Sequence, residues 1–209
     1  DPAFEKVRDL ATERTDLFRG AGSDFSILGG SAAGRRIETR EVVTDSPAWA
    51  DQVTTYHTPE GPLREVFRKS TGKRPGYQME PLLKEPSDIR KLRSMPYEPH
   101  PFSPEGYRRA EAELGDAGIV MFGLDHAMYA LQRRIGSENF AFWSLEAEDL
   151  LLEAMDVFAA RILAHVNAAL DAGIRGVFGW VGPELCIPPL MSPAAFDRYV
   201  FALDKPLID

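Results

Sequence analysis

The second half of the chain alternates short apolar runs with amphipathic stretches of helix length, and that rhythm restricts the fold more than any other feature. Gly118-Ile119-Val120-Met121-Phe122-Gly123 is apolar and bounded by glycines, the pattern of a strand covered on both faces. Leu124-Asp125-His126 closes the run, and Ala127 to Ile135 suits a helix stopped by Gly136. Ser137 to Leu145 reads as a connection. Leu151, Met155, Phe158, Ile162, Val166 and Ala169 then recur at spacings of three and four, one apolar stripe along a long helix. Gly173 ends it, as glycine commonly does past a last turn. Ile174 to Trp180 is the next strand, and Ser192-Pro193 opens another helix, with the serine as cap and the proline in the first turn. Phe196, Tyr199, Val200 and Leu203 supply its buried face. Strand, helix, strand, helix at these separations requires parallel strands joined by crossovers.

The first half breaks the rhythm. A helix over 2–14 and a strand near Asp16 to Phe18 lead into a loop holding Gly20, Gly22, Gly29, Gly30 and Gly34. Arg35 to Thr44 alternates charged and apolar residues. Val53 to Lys69 forms two extended arms around Thr58-Pro59-Glu60-Gly61-Pro62, which is turn chemistry and predicts an antiparallel hairpin. A proline-rich passage from Pro75 to Pro104 carries a short helix from Pro86 to Arg93, and a further helix runs from Pro104 to Leu114. The chain starts without Met in a helical pattern and stops at Leu207-Ile208-Asp209 with the pattern still running, so we expect a fragment. The expected fold is α/β: part of a (β/α)₈ TIM barrel, one incomplete domain over 1–209 with a β-hairpin excursion in the N-terminal half. A doubly wound open sheet is the rival. In both, function gathers at the carboxyl ends of the strands.

With 24 Lys+Arg against 32 Asp+Glu the net charge is −8, a surface that repels phosphate backbones and argues against nucleic acid as a partner. One cysteine and four histidines show no C-x-x-C or H-x-x-x-H spacing. No apolar stretch reaches the ~18 residues of a membrane helix, and no signal peptide opens the chain; the expectation is a cytoplasmic protein without a membrane partner.

The segment Gly179 to Pro193 holds four prolines and Glu184. A carboxylate in a loop stiffened by Pro183, Pro188 and Pro189 suits catalysis or metal ligation, since little ordering is needed to use it; the alternative is a solvated loop glutamate. Cys186 reads first as a small buried hydrophobe. Asp125-His126 at a strand end can bind a polar group, move a proton or hold a metal, unless Asp125 merely caps the next helix and His126 packs. Phe142 and Trp143 could wall an apolar substrate site or belong to the core. Arg64, Arg68, Lys69, Lys73 and Arg74 form a basic cluster whose simplest reading is a solvated hairpin. Ser70-Thr71-Gly72-Lys73 lacks the phosphate-loop spacing, the Gly29 to Gly34 run lacks G-x-G-x-x-G, and no G-x-S-x-G elbow exists, which excludes nucleotide-binding and serine-hydrolase readings.

Asp1-Pro2-Ala3-Phe4 with Thr15-Asp16, Thr58-Pro59-Glu60-Gly61-Pro62-Leu63, Pro81-Leu82-Leu83-Lys84 leading to Asp88-Ile89-Arg90-Lys91-Leu92, Gly182-Pro183-Glu184, Pro188-Pro189-Leu190-Met191-Ser192-Pro193 and Leu207-Ile208-Asp209 together resemble the uroporphyrinogen decarboxylase superfamily. The resemblance is to its decarboxylase-like and corrinoid methyltransferase branches. It implies a barrel with its site at the mouth, and one of two activities. One is decarboxylation of a tetrapyrrole in porphyrin biosynthesis, a lyase reaction without cofactor; the other is methyl transfer with zinc and a corrinoid carried by a partner protein. The Arg-Gln-Ala-Gly-Arg motif of true decarboxylases is absent, and Asp24 is only a loose match to their substrate-holding aspartate. The Thr-Pro-x-Gly-x-Leu hairpin is typical of the other branches, whose His-x-Cys pair and later Cys, the zinc ligands, would fall beyond Asp209. Methyl transfer or demethylation is therefore the first expectation, with Glu184, His126 and Asp125 as catalytic rim and Asp24 and Trp143 as substrate contacts. A homodimer is the expected assembly. Tetrapyrrole decarboxylation and a non-catalytic scaffold barrel are the alternatives.

Overall fold

A computed structural model describes residues 2–29, 36–72, 74–180 and 182–209. Gly30, Gly34, Arg35 and Lys73 of the sequence reading, with Asp1, lie outside them. After a 3₁₀ turn, α1 (Glu5–Arg14) leads to β1 (Leu17–Ala21). The chain then builds β2 (Ile37–Val43), β3 (Trp49–Thr58), β4 (Gly61–Ser70) and β5 (Tyr77–Glu80), an antiparallel sheet of four strands in sequence order. The expected hairpin is its centre: Thr58 pairs with Gly61 across Pro59-Glu60. It is larger than the sequence reading, because the edges of that hairpin each recruit a further strand.

Next come α2 (Asp88–Arg93), α3 (Glu105–Leu114) and β6 (Gly118–Leu124), followed by α4 (Ala127–Ile135), α5 (Ser137–Glu146) and α6 (Glu148–Asp171). β7 (Val177–Trp180) precedes a 3₁₀ turn, Pro183–Leu185. The chain ends in α7 (Pro193–Phe196) and α8 (Ala202–Ile208), joined by a π turn. β1, β6 and β7 form a parallel sheet in the order β1-β6-β7. Parallel strands with helical crossovers are what the alternation requires. No closed barrel forms among the described residues, and the parallel sheet is open at three strands.

Two further expectations change. The Gly118–Gly123 strand is covered on one face: Val120 and Phe122 are buried beside Tyr107, Ala110, Ala169 and Ile174, whereas Ile119, with its cross-strand neighbours Phe18 on β1 and, one rung on, Val177 on β7, is exposed. Ser137 to Leu145 is the helix α5 instead of a connection, with Phe140 and Trp143 on its buried side. The main core joins Leu82, Leu83 and Ile89 to Leu131, Phe140, Met155 and Ile162. A fully buried Leu, Ile, Met or Phe contributes about 1.5–3 kcal/mol, so this core holds the helices, and with them the loops that follow β6 and β7. Among the described residues no helix is long and apolar enough to cross a membrane.

Candidate functional site

Because β1, β6 and β7 are neighbouring parallel strands, the segments after their carboxyl ends share one edge of the sheet. Asp24 follows β1, Asp125-His126 follows β6, and Glu184 follows β7. The local geometry of each loop comes from its own sequence. His126, rather than Asp125, caps α4: its extended backbone (φ −116°, ψ 132°) turns Nδ1 to accept a long 3.5 Å bond from the Tyr129 N–H. Ser192 caps α7 as expected, its Oγ accepting from Ala195 N–H at 3.2 Å with Pro193 in the first turn. Gly182 has φ +127°, and a Cβ there would meet the Tyr129 ring at 2.2 Å. Only glycine lets the loop after β7 pass that ring.

His126 is the centre of the best-defined polar cluster at this edge. Its side chain is 1% exposed, and Nε2 lies 3.0 Å from Asp204 Oδ1 on α8. The N–H is not aimed squarely at that oxygen, so the contact has ion-pair distance without aligned hydrogen-bond geometry. Asp204 Oδ2 accepts from the Trp180 indole N–H at 3.2 Å. With Nδ1 accepting from Tyr129, the neutral imidazole carries its proton on Nε2, toward the carboxylate. One aspartate on the last helix thus bridges the tips of β6 and β7. Asp125 is partly exposed and 3.5 Å from Arg133, whose guanidinium carbon sits 4.9 Å from the Tyr129 ring centre.

The other sequence candidates are dispersed. Glu184 is exposed in its 3₁₀ turn, with no side-chain partner among the described residues. Asp24 is exposed in the loop after β1. Trp143 is buried in the main core with Phe140 and Leu151, while Phe142 is exposed. Cys186 is buried, its Sγ 3.6 Å from Met191 Sδ, and burial pushes its thiol up to about 11. In the basic cluster Arg64 pairs with Glu80 and Arg68 with Asp51, the latter through two hydrogen bonds. Beside the loop after β7 lies a cleft of about 460 Å³, lined by Leu190, Met191, Ser192, Glu148, Arg198 and Tyr199 among others, and by neither Glu184 nor His126. The Tyr199 hydroxyl donates to Glu148 at 2.6 Å; this bond first, and Arg198 second, holds the Glu148 carboxyl below its usual range.

Asp204, Trp180 and Tyr129 escape sequence reasoning. Trp180 reads as a strand end and Asp204 as one more acid on a charged helix; no local spacing joins them to His126. Among the described residues no three His, Cys, Asp or Glu side chains converge as a metal site. The zinc ligands implied by the resemblance would fall beyond Asp209, and no step below is routed through a metal.

Comparison with known proteins gives partial similarity. Over 96 residues the chain is 24% identical to methylcobamide:CoM methyltransferase MtaA of Methanosarcina barkeri (strain Fusaro / DSM 804), covering 46% of the chain and 28% of that protein. A second Methanosarcina barkeri methylcobamide:CoM methyltransferase MtaA is 23% identical over the same length and coverage. The matched segment thus spans little more than a quarter of the length of these relatives. No family model matches the chain, and no solved structure matches it significantly.

Proposed function

We propose that the chain forms part of a corrinoid-dependent methyltransferase whose reaction takes place over the carboxyl ends of β1, β6 and β7. The observation that carries this reading is the convergence of His126, Trp180 and Asp204 at two adjacent parallel strand tips, where α/β folds gather their active sites. The similarity to methylcobamide:CoM methyltransferases supports methyl transfer as the reaction class. In this reading residues 1–209 are one incomplete (β/α)₈ domain, and further strands cover the exposed Phe18, Ile119 and Val177, since parallel sheets are covered on both faces. A corrinoid-carrying protein is the partner, and a homodimer the assembly.

A methylated corrinoid supplies an electrophilic methyl group. This chain's residues then hold the rim and manage the acceptor's proton. His126, Asp204 and Trp180 fix the tips of β6 and β7 relative to α8. Glu184, exposed and unpaired, is the group free to accept a proton or orient the acceptor, with Asp125 beside it in role. Asp24, exposed in the loop after β1, is the proposed substrate contact on this chain, while Trp143 packs α5 against the core. The test is Glu184→Gln in the complete protein, assayed for methylcobalamin demethylation by its visible spectrum. Turnover should fall by at least about 100-fold, the usual contribution of a general base, with the melting temperature unchanged within about 2 °C, as for an exposed site. Undiminished turnover removes Glu184 from the reaction; no methyl transfer by the complete wild-type protein removes the function.

A further inference from the structure

A second polar site lies apart from the His126–Asp204 cluster, between α6, the loop after β1 and the passage before α3. It is a cavity of about 80 Å³ lined by Phe25, Tyr97, His100, Phe102, Arg161 and His165, with Pro99 and two alanines. That is several times the ~10–15 Å³ that one water requires. Arg161 is half-buried, yet no carboxylate among the described residues lies within ion-pair distance of it or of either histidine. Its Nη1 donates to the Ile27 carbonyl at 2.6 Å, and its guanidinium carbon sits 3.9 Å from the Tyr97 ring centre. The remaining N–H groups of the fork have no acceptor among the described residues.

His165 is held in a fixed orientation. Its ring stacks on Phe25 with centres 4.4 Å apart and meets Phe102 edge-on at 5.4 Å. Neither ring nitrogen has a hydrogen-bond partner among the described residues, and His165 lines the cavity. Burial lowers its basicity, so near neutrality it offers one donor and one acceptor.

A planar cation without a counter-charge, a fixed imidazole and aromatic walls make a recess for a small anion with several oxygens. We propose that the cavity between Arg161 and His165 binds a small oxyanion, a carboxylate or phosphate, through the free edge of the Arg161 fork and a His165 nitrogen. On a chain of net charge −8 the surface as a whole repels anions, so binding here depends on these local donors. The proposal does not depend on the methyl-transfer reading.

The experiment is titration of the full chain with sodium phosphate, sodium acetate and sodium chloride at matched ionic strength, following the His165 ring protons and the Arg161 Nε–H by NMR. Saturable shifts with phosphate or acetate and none with chloride are expected, and the tighter of the two identifies the anion class. Arg161→Gln should weaken binding by about 10-fold or more, and Arg161→Lys, which keeps the charge and loses the fork, by a smaller factor. Because Arg161→Gln also removes a bond to Ile27, its fold is checked by circular dichroism, and the lysine variant decides if it unfolds. A wild-type response no greater than that to chloride, or equal affinity in the lysine variant and wild type, overturns the proposal.

Discussion

Asp204→Ala tests the bridge between the strand tips and the last helix. His126 Nε2 is sealed from water and has no acceptor among the described residues besides Asp204. Leaving that buried nitrogen without the one carboxylate at ion-pair distance costs about 1–3 kcal/mol. Trp180 is only half-buried, so its indole N–H can turn to water, and losing its bond adds ~0.5–1 kcal/mol. The sum is ~1.5–4 kcal/mol. In a domain of this size each kcal/mol moves the melting temperature by roughly 2–4 °C, so Asp204→Ala should melt roughly 3–16 °C lower. Asp204→Asn keeps the shape but offers one acceptor oxygen where two are used, and should lose about half as much. Trp180→Phe strands no sealed donor and should cost less than ~1 kcal/mol. Thermal and urea unfolding followed by circular dichroism measure all three. If Asp204→Ala melts within 1–2 °C of the wild type, the usual range of surface substitutions, Asp204 is no bridge and α8 is held by apolar contacts alone.

Three other buried or paired groups give further outcomes. Burial alone would raise the Asp88 carboxyl, but Lys91 and the backbone N–H groups of Lys84 and Glu85 outweigh it and hold it below 3.8. A depressed carboxyl stabilises the fold above its unfolded value and loses that stabilisation as pH falls through its folded value. Urea midpoints of wild type and Asp88→Asn should therefore differ at neutral pH and converge below about pH 4. The Cys186 thiol, raised from 9.0 to about 11 by burial, favours the folded state until pH climbs through that window, where stability should decline. At pH 8 it should react with a disulfide reagent at the rate of unfolding, since the thiolate is the nucleophile and the side chain is sealed. Phe122→Ala empties a fully buried site between Phe102, Tyr107 and Phe178 and should cost about 3–5 kcal/mol, read from the urea midpoint.

Local chemistry in the sequence carries much of the architecture. The stripe from Leu151 to Ala169 is the buried side of α6, Gly136 and Gly173 stand at helix ends with positive φ, and Thr58 to Pro62 turns the central hairpin. What an apolar run cannot reveal is whether something covers it. Ile119 and Phe122 look alike as letters; Phe122 packs against Tyr107 of α3 and His165 of α6, and Ile119 stays exposed. Ser137 to Leu145 reads as a connection because Ser137-Glu138-Asn139 is polar and Phe142 interrupts any clean stripe. The helix forms because Phe140 and Trp143, three apart, reach the core together. Asp125 is the stronger intrinsic cap, yet Arg133 takes its carboxylate and His126 takes the cap.

The strand-tip site divides along the same line. His126, Asp125 and Glu184 stand out because they follow strands, a property of adjacent residues. Asp204 and Trp180 meet His126 only through the packing of α8, across 78 and 54 positions of chain. That packing changes what His126 can do. Nδ1 faces the Tyr129 N–H, Nε2 faces Asp204, and the ring is sealed. To exchange a proton with a substrate it would have to give up the first bond of α4 or its contact with α8. In the proposed reading this sealed strand-end histidine acts as a positioning residue, and proton transfer falls to the carboxylates in reach of solvent. Glu184→Gln and His126→Gln should then separate: the first should lower kcat without unfolding, the second should lower stability in step with Asp204→Ala. If His126→Gln instead left the melting temperature unchanged and abolished turnover, the imidazole would be a reacting group, and its bond to Tyr129 or its contact with Asp204 would have to open during catalysis.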